Sequence, residues 1–281
     1  MARRIISEHV TAAELASLRR DGEPMVYIIA NRHMTEEDAE SQFRKLRELH
    51  RAVGDFSLGI EMPKTRSNER FLAGLGSRSD AEIQSFLGEF DDFGFGSRLY
   101  RGLKEFSASG VRISPIDATF EEGATVLNTA FNPTEDLFGA VEQIPEILRR
   151  IIELEERRDP IISRNINGIT LNGTPVAVSI GHGHVPYLEQ NLDANVVTLL
   201  NPAAALHTDI EEAALSVYKE SKGKVLTPGS SYMETFLPLA RFCVSSIAMA
   251  ADAVGYVGLI SKTSTLDELK AIYEAMKVAL F

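Results

Sequence analysis

Short apolar runs recur along this chain between stretches of helical periodicity, and no other feature restricts the fold as much. Runs at Met25–Ala30, Ser57–Glu61, Val111–Asp117, Pro175–Ile180 and Asn195–Leu200 have the length and content of buried strands, and Gly255–Ile260 is read as a sixth. They are nearly continuous in apolar residues rather than alternating, as expected of strands covered on both faces, and this is the habit of parallel sheets. The intervening patterns are helical. Thr35–Val53 opens with the capping-box-like Thr35-Glu36-Glu37-Asp38, Phe95–Ser109 follows, and Thr134–Arg158 carries acidic residues early and arginines late. The expected fold is therefore α/β, a mostly parallel sheet with helices on both faces.

After Leu200 the pattern becomes helical, at Ile210–Ser221, Gly229–Ala251 and Thr265–Leu280. These pieces are expected to cover the sheet, so residues 1–281 are read as one domain with a helical C-terminal third. No repeat, low-complexity segment or Pro/Gly/Ser-rich linker divides them. The loop from Asp117 to Pro133 is long for a compact domain and is a candidate lid or binding loop.

Composition narrows the partners. A formal net charge of −11 disfavours nucleic acid and anionic membrane surfaces, which call for clustered Lys and Arg. The single cysteine, Cys243, lies in an apolar stretch and reads as a packed side chain. Ser7, Glu8, His9 and Glu14 interrupt any leader-like apolar region, and Phe236–Ile260 contains Pro238, Arg241 and Asp252, so it reads as a buried helix leading into a strand. A cytoplasmic location is expected, and Asn172-Gly173-Thr174 is read as a turn. Gly94-Phe95-Gly96 is also a turn, and the chain has neither a GxSxG elbow nor a P-loop or dinucleotide fingerprint.

The chemistry gathers at strand ends. Pro175–Ile180 runs into Gly181-His182-Gly183-His184, where the glycines are expected to allow positive φ or close approach and to aim His184 across the sheet edge. Ala30-Asn31-Arg32-His33 repeats that spacing after the first run. Gly59-Ile60-Glu61-Met62-Pro63 places a carboxylate at the next strand end, and Asp117 stands at the equivalent point of the third. In a parallel sheet these ends share one edge, so His33, Glu61 and His184 are expected to converge. Two imidazoles and a carboxylate suit a divalent metal with open positions, or a metal-free acid–base pair. The structural alternatives are a Glu61 ion pair with Lys64 or Arg66, a capping role for His33, and a solvated helix end for Glu153–Asp159.

Glu156-Arg157-Arg158-Asp159, followed by Val176-Ala177-Val178-Ser179-Ile180-Gly181-His182-Gly183-His184-Val185-Pro186, resembles the motif pair of TraB and TIKI proteins. These belong to the erythromycin esterase/ChaN-like superfamily. The order of elements agrees over roughly residues 25 to 190. The resemblance implies His33 as the first-motif histidine, Glu61 as the carboxylate, Arg158 or Arg157 as the motif arginine and His184 as the second-motif histidine. Ala30 stands where the superfamily usually has Gly, and Asn31 where the esterase and ChaN branches have Glu; TIKI-like members lack that Glu too.

The resemblance implies a hydrolase of an ester, lactone or amide, with Mn, Co or Zn held by His33, Glu61 and His184. Arg158 would stabilise the oxyanion or bind a substrate carboxylate, while Asn31, Asp117, Asp159, His182 and Tyr187 would bind substrate or support those residues. The alternatives are a non-catalytic protein binding haem, a peptide or a small ligand through His184 or Tyr187, and a biosynthetic enzyme using the same cleft without hydrolysis. The expected partners are a small-molecule or peptide substrate and, in a homodimer, a second copy of the chain.

Overall fold

The computed structural model describes residues 2–19, 22–31, 36–87, 95–119, 137, 141, 144–171, 173–220 and 232–280. These form two compact units. Unit 1 comprises Met1–Thr125 and Leu154–Asn201, and unit 2 comprises Val126–Glu153 and Pro202–Phe281.

Unit 1 is built on a six-stranded sheet of β1 (Arg3–Ile6), β2 (Met25–Asn31), β3 (Ser57–Pro63), β4 (Arg112–Asp117), β5 (Val176–Gly181) and β6 (Asn195–Leu200). The order is β1-β6-β2-β5-β3-β4, and every pair is parallel. The chain is therefore α/β, as the apolar runs imply. Val26, Tyr27, Ile28 and Ile29 of β2 are all essentially fully buried, because this central strand has a layer on each side.

One layer contains α1 (Ala12–Ser17), α2 (Glu36–Val53), α3 (Arg66–Ala73), α4 (Asp80–Leu87) and α5 (Phe95–Ala108). Phe43, Leu46 and Leu49 of α2 and Leu103 and Phe106 of α5 share a core with Tyr27, Ile29, Leu58, Ile60, Ala177 and Leu199 of the strands. Gly102 lets α5 approach α2, since a Cβ there would clash with the Phe43 ring. Gln42 of α2 donates a buried hydrogen bond to Ser179 of β5. α7 (Asp159–Thr170) packs against β4 and β5, and α8 (Val185–Asn191) against β6.

The strand β1 is not anticipated by the pattern of apolar runs. It has four residues, two of them arginines, and lies at the sheet edge, where charge is tolerated and discourages pairing with another chain. Arg4 is held there by an ion pair of 2.8 Å to Glu189.

Unit 2 is helical, with α9 (Pro202–Glu220), α10 (Tyr232–Ala250), α11 (Val257–Ile260) and α12 (Leu266–Leu280); α6 (Ile144–Arg157) contributes its first part. Its core includes Leu148, Ala214, Leu239, Val244, Leu269 and Tyr273, and Cys243 is a fully buried member of it, in keeping with a packing role.

The strand expected at Gly255–Ile260 is absent: Val254–Tyr256 is a 3₁₀ turn that runs into α11. A short apolar run does not distinguish buried strand from buried helix by periodicity alone. Its exposure does: Val257 and Ile260, three apart, are fully buried while Leu259 is half exposed. The helix expected at Ile210–Ser221 begins earlier, at Pro202. No helix among the described residues is long and apolar enough to cross a membrane. The lid segment expected at Asp117 to Pro133 lies outside the described residues from 120 on.

Candidate functional site

The site forms at the carboxyl edge of the sheet. β5 enters between β2 and β3 and β6 between β1 and β2, so the strand order reverses direction here, and such crevices are where open α/β sheets bind ligands. Asn31 closes β2 in register with Gly181 of β5. On the other side of β5, the β3–β4 register shifts between Ile60 and Pro63, bringing Pro63 opposite Asp117 and freeing Glu61 from regular pairing.

Glu61 is the hub of the edge. Its Oε2 accepts the Gly181 N–H at 2.7 Å, its Oε1 accepts from Arg158 Nη2 at 2.6 Å, and the same Oε1 lies 3.3 Å from His184 Nε2. The alternative partner Lys64 is engaged elsewhere, donating to Asn165 Oδ1 at 3.1 Å. Asn165 in turn donates to the Ile116 carbonyl at 2.9 Å and steadies the end of β4. Sequence reasoning missed this residue, because an asparagine inside a helix carries no distinguishing pattern.

Arg158 sits between the ends of α6 and α7. Its Nε and Nη2 bind the two oxygens of Asp117 side-on, at 2.7 and 2.5 Å, and Asp117 Oδ1 also accepts the Ala118 N–H. Nη2 then reaches Glu61, so three of the five guanidinium donors are used. Among the described residues the Nη1 edge has no hydrogen-bond partner. Burial pulls the Arg158 pKa down, but the Asp117 hydrogen bonds and the Glu61 charge outweigh it and raise it. Arg157, one residue earlier, is exposed, so Arg158 is the arginine at the cluster.

His184 lies on the turn after β5. The turn does not use glycine as expected: Gly181 has φ −59°, Gly183 is not in the positive-φ region, and a Cβ on Gly183 would meet nothing within 4 Å. A 3₁₀ turn at His182–His184 redirects the chain instead, and Pro186 in the first turn of α8 favours the helix that follows. The glycine that matters is Gly181, through its N–H.

His184 Nδ1 lies 2.6 Å from Asp159 Oδ1, and Asp159, 1% exposed in the first turn of α7, carries its charge at the favourable end of that helix. Asp159 Oδ2 is buried and has no hydrogen-bond partner among the described residues. Burial would push His184 down, but the charge of Glu61 and the bonds to Asp159 and Glu61 outweigh it and raise the imidazole to about 10. At neutral pH His184 is thus an imidazolium, with a carboxylate at each ring nitrogen.

Of the expected residues, Glu61, Asp117, Arg158, Asp159 and His184 come together. His33 lies outside the described residues, and of Asn31 only the backbone is described. His182 is half-buried at the start of the turn. Tyr187 is half-buried on α8, its carbonyl accepting from Asn191 at 2.8 Å.

Three carboxylates face two cations, which leaves room for more positive charge. Glu61 Oε1 and His184 Nε2 fit a pair of metal ligands, since 3.3 Å is about the separation that two ligands take on one tetrahedral divalent ion with bonds of about 2.0–2.1 Å. Asp159 on Nδ1 supplies the carboxylate–histidine support that fixes the tautomer of a metal-bound imidazole. An ion there would displace the proton on Nε2.

Comparison with protein-family models, curated proteins and solved structures returned no match.

Proposed function

We propose that this sheet edge is the active site of a hydrolase acting on an ester, lactone or amide bond. The observation that carries the reading is the line Asp159, His184, Glu61, Arg158, Asp117, in which each ionised group is oriented by the next while one edge of Arg158 is left over. Asp159 fixes the imidazole ring, so Nε2 faces Glu61. Asp117 occupies the Nε–Nη2 edge of Arg158 and thereby presents Nη1 as a fixed pair of donors for a developing oxyanion or a substrate carboxylate. Gly181 holds the far oxygen of Glu61 and prevents the carboxylate from turning away. A divalent ion held by Glu61 and His184, when bound, would supply a water acidic enough to be hydroxide near neutral pH. His33 is the proposed third ligand.

Protein purified without chelator, assayed for Mn, Co and Zn and screened on chromogenic esters, lactones and peptide amides, tests this. Turnover that falls together with metal content in His184→Ala is the expected result. Arg158→Lys keeps the charge but loses the planar fork, and is expected to lower turnover roughly 10–1000-fold with little change in melting temperature. Unchanged metal content in His184→Ala would leave the metal-free acid–base form of the reading. Absence of turnover across the screen, with a Soret band on adding haem, would replace the hydrolase with a haem-binding protein.

A further inference from the structure

Within unit 1, α3, α4 and the connection between them flank a groove of about 680 Å³, inside the range of about 300–1,000 Å³ usual for ligand sites. Ser67, Arg70 and Phe71 reach it from α3 at spacings of three and four residues. Glu82, Ser85 and Phe86 reach it from α4 at the same spacings, so each helix gives the groove one face.

The charges that line it are paired except for one. Arg78, on the connection, donates from Nε to the Phe71 carbonyl at 3.2 Å, lies 4.7 Å from the centre of the Phe71 ring and has Nη1 3.7 Å from Glu82 Oε1. The other oxygen of Glu82 accepts from the Ser79 N–H at 2.7 Å and the Ser79 hydroxyl at 2.8 Å. These bonds, together with the charges of Arg78 and Lys104, hold the Glu82 carboxyl below its usual range. Arg70 is exposed, and among the described residues its guanidinium has neither an ion pair nor a hydrogen bond.

A flat apolar surface lies along the same groove. Phe86 stacks on the buried Phe71, the ring centroids 3.6 Å apart and the planes within 8°. With one face covered in this way, the 36% exposure that Phe86 keeps belongs to its rim and its other face. A large aromatic left open beside a cation suits a planar ring, which gains from offset stacking. The Ser67 and Ser85 hydroxyls, without hydrogen-bond partners among the described residues, add donors.

The single unpaired charge selects the anion. A guanidinium fork pairs side-on with a carboxylate, whereas the second charge of a phosphate dianion would stay unmatched with Glu82 on the same lining. We propose that the groove between α3 and α4 binds an aromatic monocarboxylate, its carboxylate on Arg70 and its ring on Phe86. None of these lining residues belongs to the sheet-edge cluster, so the assignment is independent of the hydrolase reading.

The chain contains no Trp, so indole-3-acetate can be followed by its own fluorescence in a titration with the full chain. Saturable binding in the millimolar range or below is expected, with indole-3-ethanol, which lacks the carboxylate, at least about tenfold weaker. Arg70→Gln should weaken indole-3-acetate by a similar factor at an unchanged melting temperature, since this side chain has no protein partner to lose among the described residues. Phe86→Ala should weaken both indoles; Arg70→Gln serves alone if that variant does not fold. Arg158→Lys should leave the titration unchanged. No saturable binding, equal binding of the two indoles, equal binding by the wild type and Arg70→Gln, loss of binding in Arg158→Lys, or displacement of indole-3-acetate by less inorganic phosphate than benzoate would each overturn the assignment.

Discussion

Two partly buried guanidiniums, one in each unit, are treated in opposite ways. Arg158 is surrounded: three donors are taken by two carboxylates that lie within hydrogen-bond distance, and its affinity for the proton rises. Among the described residues Arg241 makes one hydrogen bond, to a hydroxyl, and its affinity falls. Their places in the sequence differ without disclosing this: Arg158 follows the charged end of α6, and Arg241 lies midway along α10. What separates them is whether folding delivers a carboxylate from a distant strand. A guanidinium that is surrounded becomes part of the scaffold and donates only its spare edge. One that is merely pinned contributes little to the scaffold.

The largest expected difference is in stability. Arg158→Met leaves the buried Asp117 and the half-buried Glu61 beside one another without the guanidinium between them, which typically costs about 3–5 kcal/mol. Arg241→Met loses one hydrogen bond to a hydroxyl that keeps donating to the Ile260 carbonyl, and should change stability by less than about 1 kcal/mol. Urea denaturation of both variants decides this; equal losses would erase the contrast.

The second expectation concerns pH. In metal-free protein the His184 pKa is raised to about 10, above its unfolded value, so its contribution to stability is fully present below the unfolded value of about 6.5. That contribution is lost as pH rises toward 10. Asp159→Asn removes one of the two carboxylates and should flatten this loss, lowering stability at pH 6 by about 1–3 kcal/mol. Denaturation midpoints at pH 6, 8 and 10 measure it, and a wild type whose stability is level from pH 6 to 10 would contradict the imidazolium. Saturating metal should reverse the slope at low pH, because protons then compete with the ion for Nε2.

The smallest effect belongs to Arg157→Met. This residue is exposed where its neighbour is enclosed, and the variant should stay within about 0.5 kcal/mol of wild type with unchanged turnover. A loss comparable with that of Arg158→Met would mean that the two arginines exchange places at the cluster.

The central strands were legible because burial on both faces forces continuous apolar runs, and β2, β5 and β6 show this directly. β1 was not legible, since an edge strand need not be apolar, and Gly255–Ile260 misleads because helix and strand bury short runs equally well. At the site, residue types at strand ends were enough to bring out Glu61, Asp117 and His184, while Arg158 and Asp159 stood out through the resemblance at the Arg-Asp segment. Their partners were not readable. That Arg158 would bridge Asp117 and Glu61 depends on the register shift after Ile60, and that Asp159 would hold His184 depends on how α7 lies against β5. Neither leaves a local trace in the chain.

The strand order also governs how the protein emerges during synthesis. Among the described residues β2 has β5 and β6 as its ladder partners, and both are translated after Pro175. Until then its apolar residues have no partner strand among the described residues, and of the described strands β3 and β4 are the neighbouring pair that is complete. Unit 1 is further interrupted by the segment Val126–Glu153, which belongs to unit 2. Long-range parallel pairing of this kind is slow and leaves sticky surface uncovered in the meantime. A nascent chain halted before β5 should therefore be a substrate for chaperones, and release from them should coincide with the arrival of β6 outside the ribosome.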